Sequence, residues 1–199
     1  AAAAALIVQG AADPSLRRDS ARAIAALGFE AFAIGGVSVG EGKTKMRAAI
    51  EATVPHLPVQ APRHLLGVGE VDDLIHGISR GIDTFDCVVP TRWARHGAAV
   101  TPSGRMNVRN AVHAADPRPL VAGCACPTCT RFGRGAIRHY FLAGEIVALQ
   151  LLTAHNVCWM LSLAREAREA IVAGQYTAFA RRWQIRRDEE AADRPEEPR

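Results

Sequence analysis

The chain has 199 residues, 49% of them hydrophobic and 22% charged, with a net charge of +4. That balance is the one an ordinary globular domain shows, and the charge suits a nucleic-acid partner without requiring one. No stretch reads as apolar for long enough to span a membrane, and Ala1 to Val8 lacks the basic flank and cleavage site of a signal peptide. The chain also lacks an initiator methionine, so a fragment or processed form is expected.

Ala5 to Gln9 reads as a short apolar strand ending in Gly10. Asp13-Pro14 starts a helix, with Asp as N-cap and Pro at the first helical position. Leu16, Ile24 and Leu27 mark one face of it, and Gly28 closes it. Ala31 to Ile34 reads as a second buried strand, ending in Gly35-Gly36. Met46, Ala49, Ile50 and Thr53 fall at helical spacing, and Pro55 and Pro58 end that element. Arg63 to Leu66 is a third strand, followed by Gly67-Val68-Gly69. Val71, Leu74, Ile75 and Ile78 mark another helix, closed by Gly81. Ile82 to Val89 reads as a fourth strand, broken at Pro90 into a loop that carries Arg92 and Arg95.

Apolar rather than alternating strands, each followed by a helix, predict a parallel sheet covered by helices. Repeated strand–glycine–helix units suit a (β/α)8 barrel, whose active site lies at the C-terminal ends of the strands. Four units cannot close a barrel. Either the sheet is doubly wound, or the other half of a barrel is missing.

After residue 97 the pattern changes. Val100 to Arg109 reads as a hairpin around Pro102-Ser103-Gly104, and a cysteine-rich loop follows at 124–129. From Ile137 to Ala173 the chain reads as one long helical stretch, apolar at Ile146, Leu149, Leu152, Val157 and Leu163. Arg181 to Arg199 is charged and reads as a frayed helix and disordered tail. The expected division is thus 1–98, 99–180 and 181–199.

Three of the five cysteines, Cys124, Cys126 and Cys129, lie in a C-x-C-x-x-C cluster. That is metal spacing rather than a disulfide framework, and it implies a reducing, cytoplasmic compartment. Three thiolates and one imidazole would close a tetrahedral zinc site with no open position, which is structural rather than catalytic. His155 is one candidate for the fourth ligand, and His113 and His139 compete with it. A redox pair of Cys126 and Cys129, or an iron–sulfur site, are the alternatives. Cys87 and Cys158 read as small packed residues. Asp86, on a rigid strand before a basic loop, suits an enzyme that attacks a sugar carbon on nucleic acid. The plainer reading is a capping carboxylate beside solvated arginines.

Several segments together resemble the tRNA-guanine transglycosylase (queuine tRNA-ribosyltransferase) family. They are Gly35-Gly36-Val37-Ser38-Val39-Gly40-Glu41, Val54-Pro55-His56-Leu57-Pro58, Leu66-Gly67-Val68-Gly69 and Phe85-Asp86-Cys87-Val88-Val89-Pro90-Thr91-Arg92. The Cys124, Cys126, Cys129 cluster with the later Thr153-x-His155-Asn156 adds to the match. The resemblance runs from about Leu6 to Phe179 and covers the C-terminal half of such a protein.

The resemblance implies the second half of a (β/α)8 TIM barrel, with a zinc-binding insertion and a long C-terminal helix. It implies exchange of the wobble guanine of tRNAs with a G-U-N anticodon, those for Asp, Asn, His and Tyr, for the 7-deazaguanine preQ1. Asp86 matches the nucleophile, which holds the ribose as a covalent ester between two displacements. Gln9 and Gly36 match positions that bind the base. Thr91, Arg92, Trp93, Ala94 and Arg95 match one RNA-contacting segment, and Gly67, Val68, Gly69, Glu70, Val71, Asp72 and Asp73 match a second. The carboxylates of that second segment suit a helix start as well as they suit RNA. Trp93 and His96 are larger than the residues expected there. Val39 stands where a valine points to preQ1 rather than queuine. Cys124, Cys126, Cys129 and His155 match the zinc ligands, and the family implies a homodimer.

The family's aspartate general acid/base and a further base-reading aspartate match nothing in Ala1 to Gln9, so the chain alone is expected to be inactive. Three other readings stand beside this one. They are a non-catalytic zinc- and tRNA-binding subunit of a transglycosylase complex, an archaeal-type relative acting at another tRNA position, and a metal-dependent barrel hydrolase with an open zinc site near Asp86.

Overall fold

A computed structural model describes residues 5–37 and 42–183. Val39, and the expected tail beyond 183, lie outside the described residues. The chain divides into two compact units, Ala1–Val88 and Val89–Arg199. The division falls at 88/89, where the sequence suggests 98.

The first unit alternates strands and helices. β1 (Ala5–Val8), α1 (Pro14–Ala25), β2 (Ala31–Ile34), α2 (Lys43–Thr53), β3 (Arg63–Leu65), α3 (Val71–Ser79) and β4 (Thr84–Phe85) follow in order. The four strands form one parallel sheet in the order β1-β2-β3-β4. No closed barrel is formed among the described residues. Ile7, Ala33, His64 and Thr84 stand in register and make one row across the sheet. The adjacent row of Val8, Ile34 and Leu65 is fully buried. Val8 and Phe32 pack against Ala21 of α1, and Ile34 and Leu65 pack with Met46, Ala49 and Ile50 of α2. Each of the buried Val, Ile, Leu, Phe and Met side chains among them contributes about 1.5–3 kcal/mol.

Helix α1 starts as expected: Asp13 Oδ1 accepts from the N–H of Ser15 at 2.8 Å and of Leu16 at 3.1 Å. Of its expected face, Ile24 packs against the core. Leu16 and Leu27 are 56% and 64% exposed, and Arg17 and Ala21 are buried instead. Residues 17 and 21 lie one turn apart on the sheet-facing side, and Leu16 is rotated about 100° away from it. The strand expected over Ile82 to Val89 shrinks to Thr84–Phe85. The expected arginine loop is a helix, α4 (Val89–Arg95). Pro90 is tolerated there because the N–H it lacks would have no partner in a first helical turn.

The second unit holds α4, the hairpin of β5 (Ala98–Thr101) and β6 (Gly104–Asn107), α5 (Arg134–Leu142) and α6 (Ile146–Val172); residues 176–183 are also helical. The single helical stretch expected over Ile137 to Ala173 is broken at Gly144, which adopts φ +76°. A left-handed residue ends α5, and the Glu145 N–H turns back to the Tyr140 carbonyl at 2.9 Å. Ala94, Ala99, Val108, Leu120, Ile137 and Leu152 form the core.

Helix α6 is long and apolar enough to cross a membrane by length and composition, contrary to the reading of the sequence. Its buried stripe is mixed, however. Ala148, Leu152, His155, Asn156, Trp159, Leu163 and Ala167 all face inward. Ile146, at 70% exposed, lies off that stripe.

Candidate active site and metal centre

The parallel order carries the ends of all four strands to one edge of the sheet. Gln9 follows β1, Gly36 follows β2, Gly67 follows β3 and Asp86 follows β4.

Asp86 is held there by one oxygen. Its Oδ1 accepts from the Gly67 N–H at 2.9 Å and lies 3.1 Å from His64 Nε2. His64 Nδ1 lies 2.8 Å from Thr84 Oγ1. Gly67 reaches this position with φ +72°, a conformation that costs glycine little. The Gly67 N–H, with the His64 ring in support, holds the Asp86 carboxyl below the usual carboxylate range against the opposing effect of burial. The carboxylate side chain stays 61% exposed. It is therefore ionised, oriented and accessible, as a nucleophile must be.

The sequence reading missed His64. Its one signal was a second polar side chain, after Arg63, in a strand whose apolar residues are Leu65 and, just beyond it, Leu66. Gly69, in the same turn as Gly67, leaves room for Cys87: a Cβ at 69 would overlap the Cys87 sulfur.

Gln9 and Gly36 do meet. A Cβ at Gly36 would lie 2.7 Å from Gln9 Oε1, so only glycine lets the amide lie this close. Below them is a residue the sequence reading also missed. The fully buried Arg17 donates from Nε to the Ala11 carbonyl at 2.8 Å, from Nη1 to Gly35 at 2.8 Å and from Nη2 to Gly36 at 2.9 Å. These bonds compensate the burial of a guanidinium and anchor the turn after β2.

In the segment Gly67 to Asp73, Val68 is buried in the core and Val71 begins α3. The carboxylates meet cations of α2. Lys43 Nζ lies 2.7 Å from both Glu70 and Asp72 and 3.2 Å from Asp73, and Arg47 lies 3.4 Å from Asp72 and Asp73. Burial, with Asp72 alongside, raises the Asp73 carboxyl, and Lys43 opposes the rise.

On α4, Arg92 and Arg95 are exposed, Ala94 is fully buried and Thr91 is half-buried. Trp93 lies under the Arg105 guanidinium of β6, 5.8 Å from its ring centre. His96 follows, exposed.

Sulfur atoms of Cys124, Cys126 and Cys129 and the Nδ1 of His155 lie within 4.8 Å of one another. Nδ1 is 3.8, 3.4 and 3.4 Å from the three sulfurs in that order. A tetrahedral zinc with ordinary Zn–S and Zn–N bonds has S···N edges of about 3.6 Å. The cluster therefore has the size of a filled Cys3His shell, and these residues hold a structural zinc. His155 Nε2 donates to the Val100 carbonyl at 2.9 Å, which leaves Nδ1 with the lone pair a metal needs. Burial lowers the His155 pKa, and in the absence of a cation it pushes the Cys129 thiol up to about 12. The other candidates stand elsewhere. His113 Nδ1 is 3.9 Å from Asp116, and the His139 ring lies against Tyr140.

Asn156, beside the ligand, ties the hairpin to α4. It accepts from the Val100 N–H at 2.8 Å and donates to Pro90 and Ala98 carbonyls at 2.9 and 3.1 Å.

A model of the queuine tRNA-ribosyltransferase family matches residues 1–189. The chain belongs to that family. Among curated relatives, the queuine tRNA-ribosyltransferase of Gluconacetobacter diazotrophicus is 49% identical over 174 residues, covering 87% of this chain and 45% of the relative. That of Herpetosiphon aurantiacus is 46% identical over 177 residues, covering 89% and 45%. That of Desulforudis audaxviator is 48% identical over 170 residues, covering 85% and 46%. The chain thus spans about half the length of the queuine tRNA-ribosyltransferases it matches.

Proposed function

We propose that this chain is the nucleophile-bearing half of a tRNA-guanine transglycosylase, forming one sector of a (β/α)8 barrel. The observation that carries the reading is Asp86, exposed at the C-terminal edge of the sheet with Oδ1 held by Gly67 and His64. Sequential strand order supports a barrel sector over a doubly wound sheet, in which the order reverses.

In the first displacement an Asp86 oxygen forms a bond to ribose C1′. The C1′–N9 bond breaks, and guanine leaves with the electron pair and takes a proton from the acid/base aspartate that the family places on its earlier barrel loops. In the second, a ring nitrogen of preQ1 forms the new bond to C1′. The ester C–O bond breaks, its pair returns to Asp86, and the base loses its proton. Two inversions retain the configuration.

Gln9 can both donate to and accept from a purine edge, and Gly36 lets backbone approach the ring. Arg92 and Arg95 suit phosphates beside the wobble base, and Trp93 and His96 suit stacking. Gly67 to Asp73 takes a further RNA contact, with Lys43 and Arg47 offsetting the carboxylates. The zinc holds the second unit's loop to α6 and takes no part in the reaction. The substrates are cytoplasmic tRNAs with G-U-N anticodons, those for Asp, Asn, His and Tyr, and the enzyme works as a homodimer.

The test is incorporation of labelled guanine into a G-U-N tRNA by this chain supplied with the N-terminal half of the Gluconacetobacter diazotrophicus relative. Exchange that Asp86→Asn abolishes is expected. Exchange that survives Asp86→Asn sinks the reading.

A further inference from the structure

The bonds around Asp86 fix more than its position. An ionised carboxylate only accepts hydrogen bonds, so His64 Nε2, 3.1 Å from Asp86 Oδ1, must carry the hydrogen. In a neutral imidazole Nδ1 is then the acceptor, and the Thr84 hydroxyl at 2.8 Å is its donor. Thr84 thus sets the His64 tautomer, and His64 sets the carboxylate. Register supports the same chain of bonds: His64 stands opposite Thr84 of β4, and Asp86 is the residue immediately after β4, two positions on from Thr84. The His64 Nε2–H and the Gly67 N–H both fall on Oδ1, and the Asp86 backbone N–H also favours the ionised form.

We propose that His64 is a positioning residue that makes Asp86 a good leaving group as well as an oriented nucleophile. The proposal rests on the transglycosylase reading. With Oδ1 held, Oδ2 is the oxygen that bonds C1′, and in the ester Oδ1 is the carbonyl oxygen. When the incoming ring nitrogen bonds C1′ and the C1′–Oδ2 bond breaks, the electron pair spreads over both oxygens. The two donors on Oδ1 meet that charge as it develops, as in an oxyanion hole. The base proton passes to solvent or to another carboxylate, not to His64, whose Nε2 already carries its hydrogen. The same donors weaken the free carboxylate as a nucleophile, so they favour the second displacement at some cost to the first.

Two measurements test this. In the isolated chain, carbon-13 NMR follows the Asp86 carboxyl through its titration. The midpoint should rise toward that of a free aspartate in His64→Ala. An unchanged midpoint in His64→Ala overturns the pairing, whatever reaction the protein catalyses.

In the chain supplied with the relative's N-terminal half, the covalent tRNA adduct is trapped and chased with preQ1. His64→Ala should accumulate more adduct and release it ~10-fold more slowly, a modest version of the loss of one oxyanion donor. His64→Gln keeps an N–H donor and should fall between Ala and wild type. A merely structural role lowers adduct formation instead, and that result, or equal behaviour of Gln and Ala, overturns the leaving-group role. Absence of adduct in the wild type overturns the transglycosylase reading while leaving the titration result standing.

Discussion

The Nε2 of His155 donates to the carbonyl of Val100 at 2.9 Å, while its Nδ1 points into the three cysteine sulfurs. One ring therefore joins the metal shell to strand β5. Zinc binding and hairpin docking should rise and fall together in the second unit. We expect one zinc per chain, and removal by a chelator should lower the thermal midpoint. At free zinc one hundred times the dissociation constant, the metal contributes about 2.7 kcal/mol. His155→Ala should weaken zinc binding and expose the Val100 amide region to hydrogen exchange. Unchanged exchange there would falsify the coupling.

Asn156 offers a test of the same junction without the metal. Its buried amide serves the Val100 N–H and the carbonyls of Pro90 and Ala98. Removing it strands buried polar groups at about 1–3 kcal/mol each. Asn156→Ala should cost ~3 kcal/mol or more in urea denaturation. Asn156→Asp keeps only the acceptor and should be rescued little.

The pH dependence of Asp86 has a definite sign. Its folded-state pKa lies below the usual value because the Gly67 N–H and His64 favour the ionised form. The associated stability is present above the unfolded pKa of about 3.9 and is lost as pH falls through the lower folded value. The carboxylate is 61% exposed, so screening keeps this effect on stability small. The effect on reactivity is the measurable one. The acid limb of adduct formation should lie below pH 3.9, and a limb above that value contradicts the bonding described.

Neighbouring positions on α1 should respond in opposite ways. Leu16 is 56% exposed, and Leu16→Ser should change stability by no more than ~0.5 kcal/mol. Arg17 is fully buried against the carbonyls of Ala11, Gly35 and Gly36. Arg17→Ala should cost about 2–5 kcal/mol in chemical denaturation and loosen the Gly35-Gly36 turn. Similar costs at the two positions would contradict the assigned helix face.

Period and punctuation in the sequence were enough to determine the strand–helix alternation, the Asp13 cap and a hairpin around Pro102-Ser103-Gly104, which the structure sets two residues earlier than the expected 100–109. Motif spacing was enough to single out Asp86 and the cysteine triad, because these signals are local. Tertiary structure decided the rest. Among three candidate histidines, only the folding of α6 against β5 selects His155 as the ligand. Arg17 displaced Leu16 from the core because carbonyls of the turn after β2 lie where its guanidinium ends, a fact no helical wheel contains. His64 joins Asp86 only because β3 and β4 pair in parallel with His64 opposite Thr84. Register across strands is set by packing of the whole sheet. A polar residue's partner twenty positions away therefore becomes legible only once the strands are side by side.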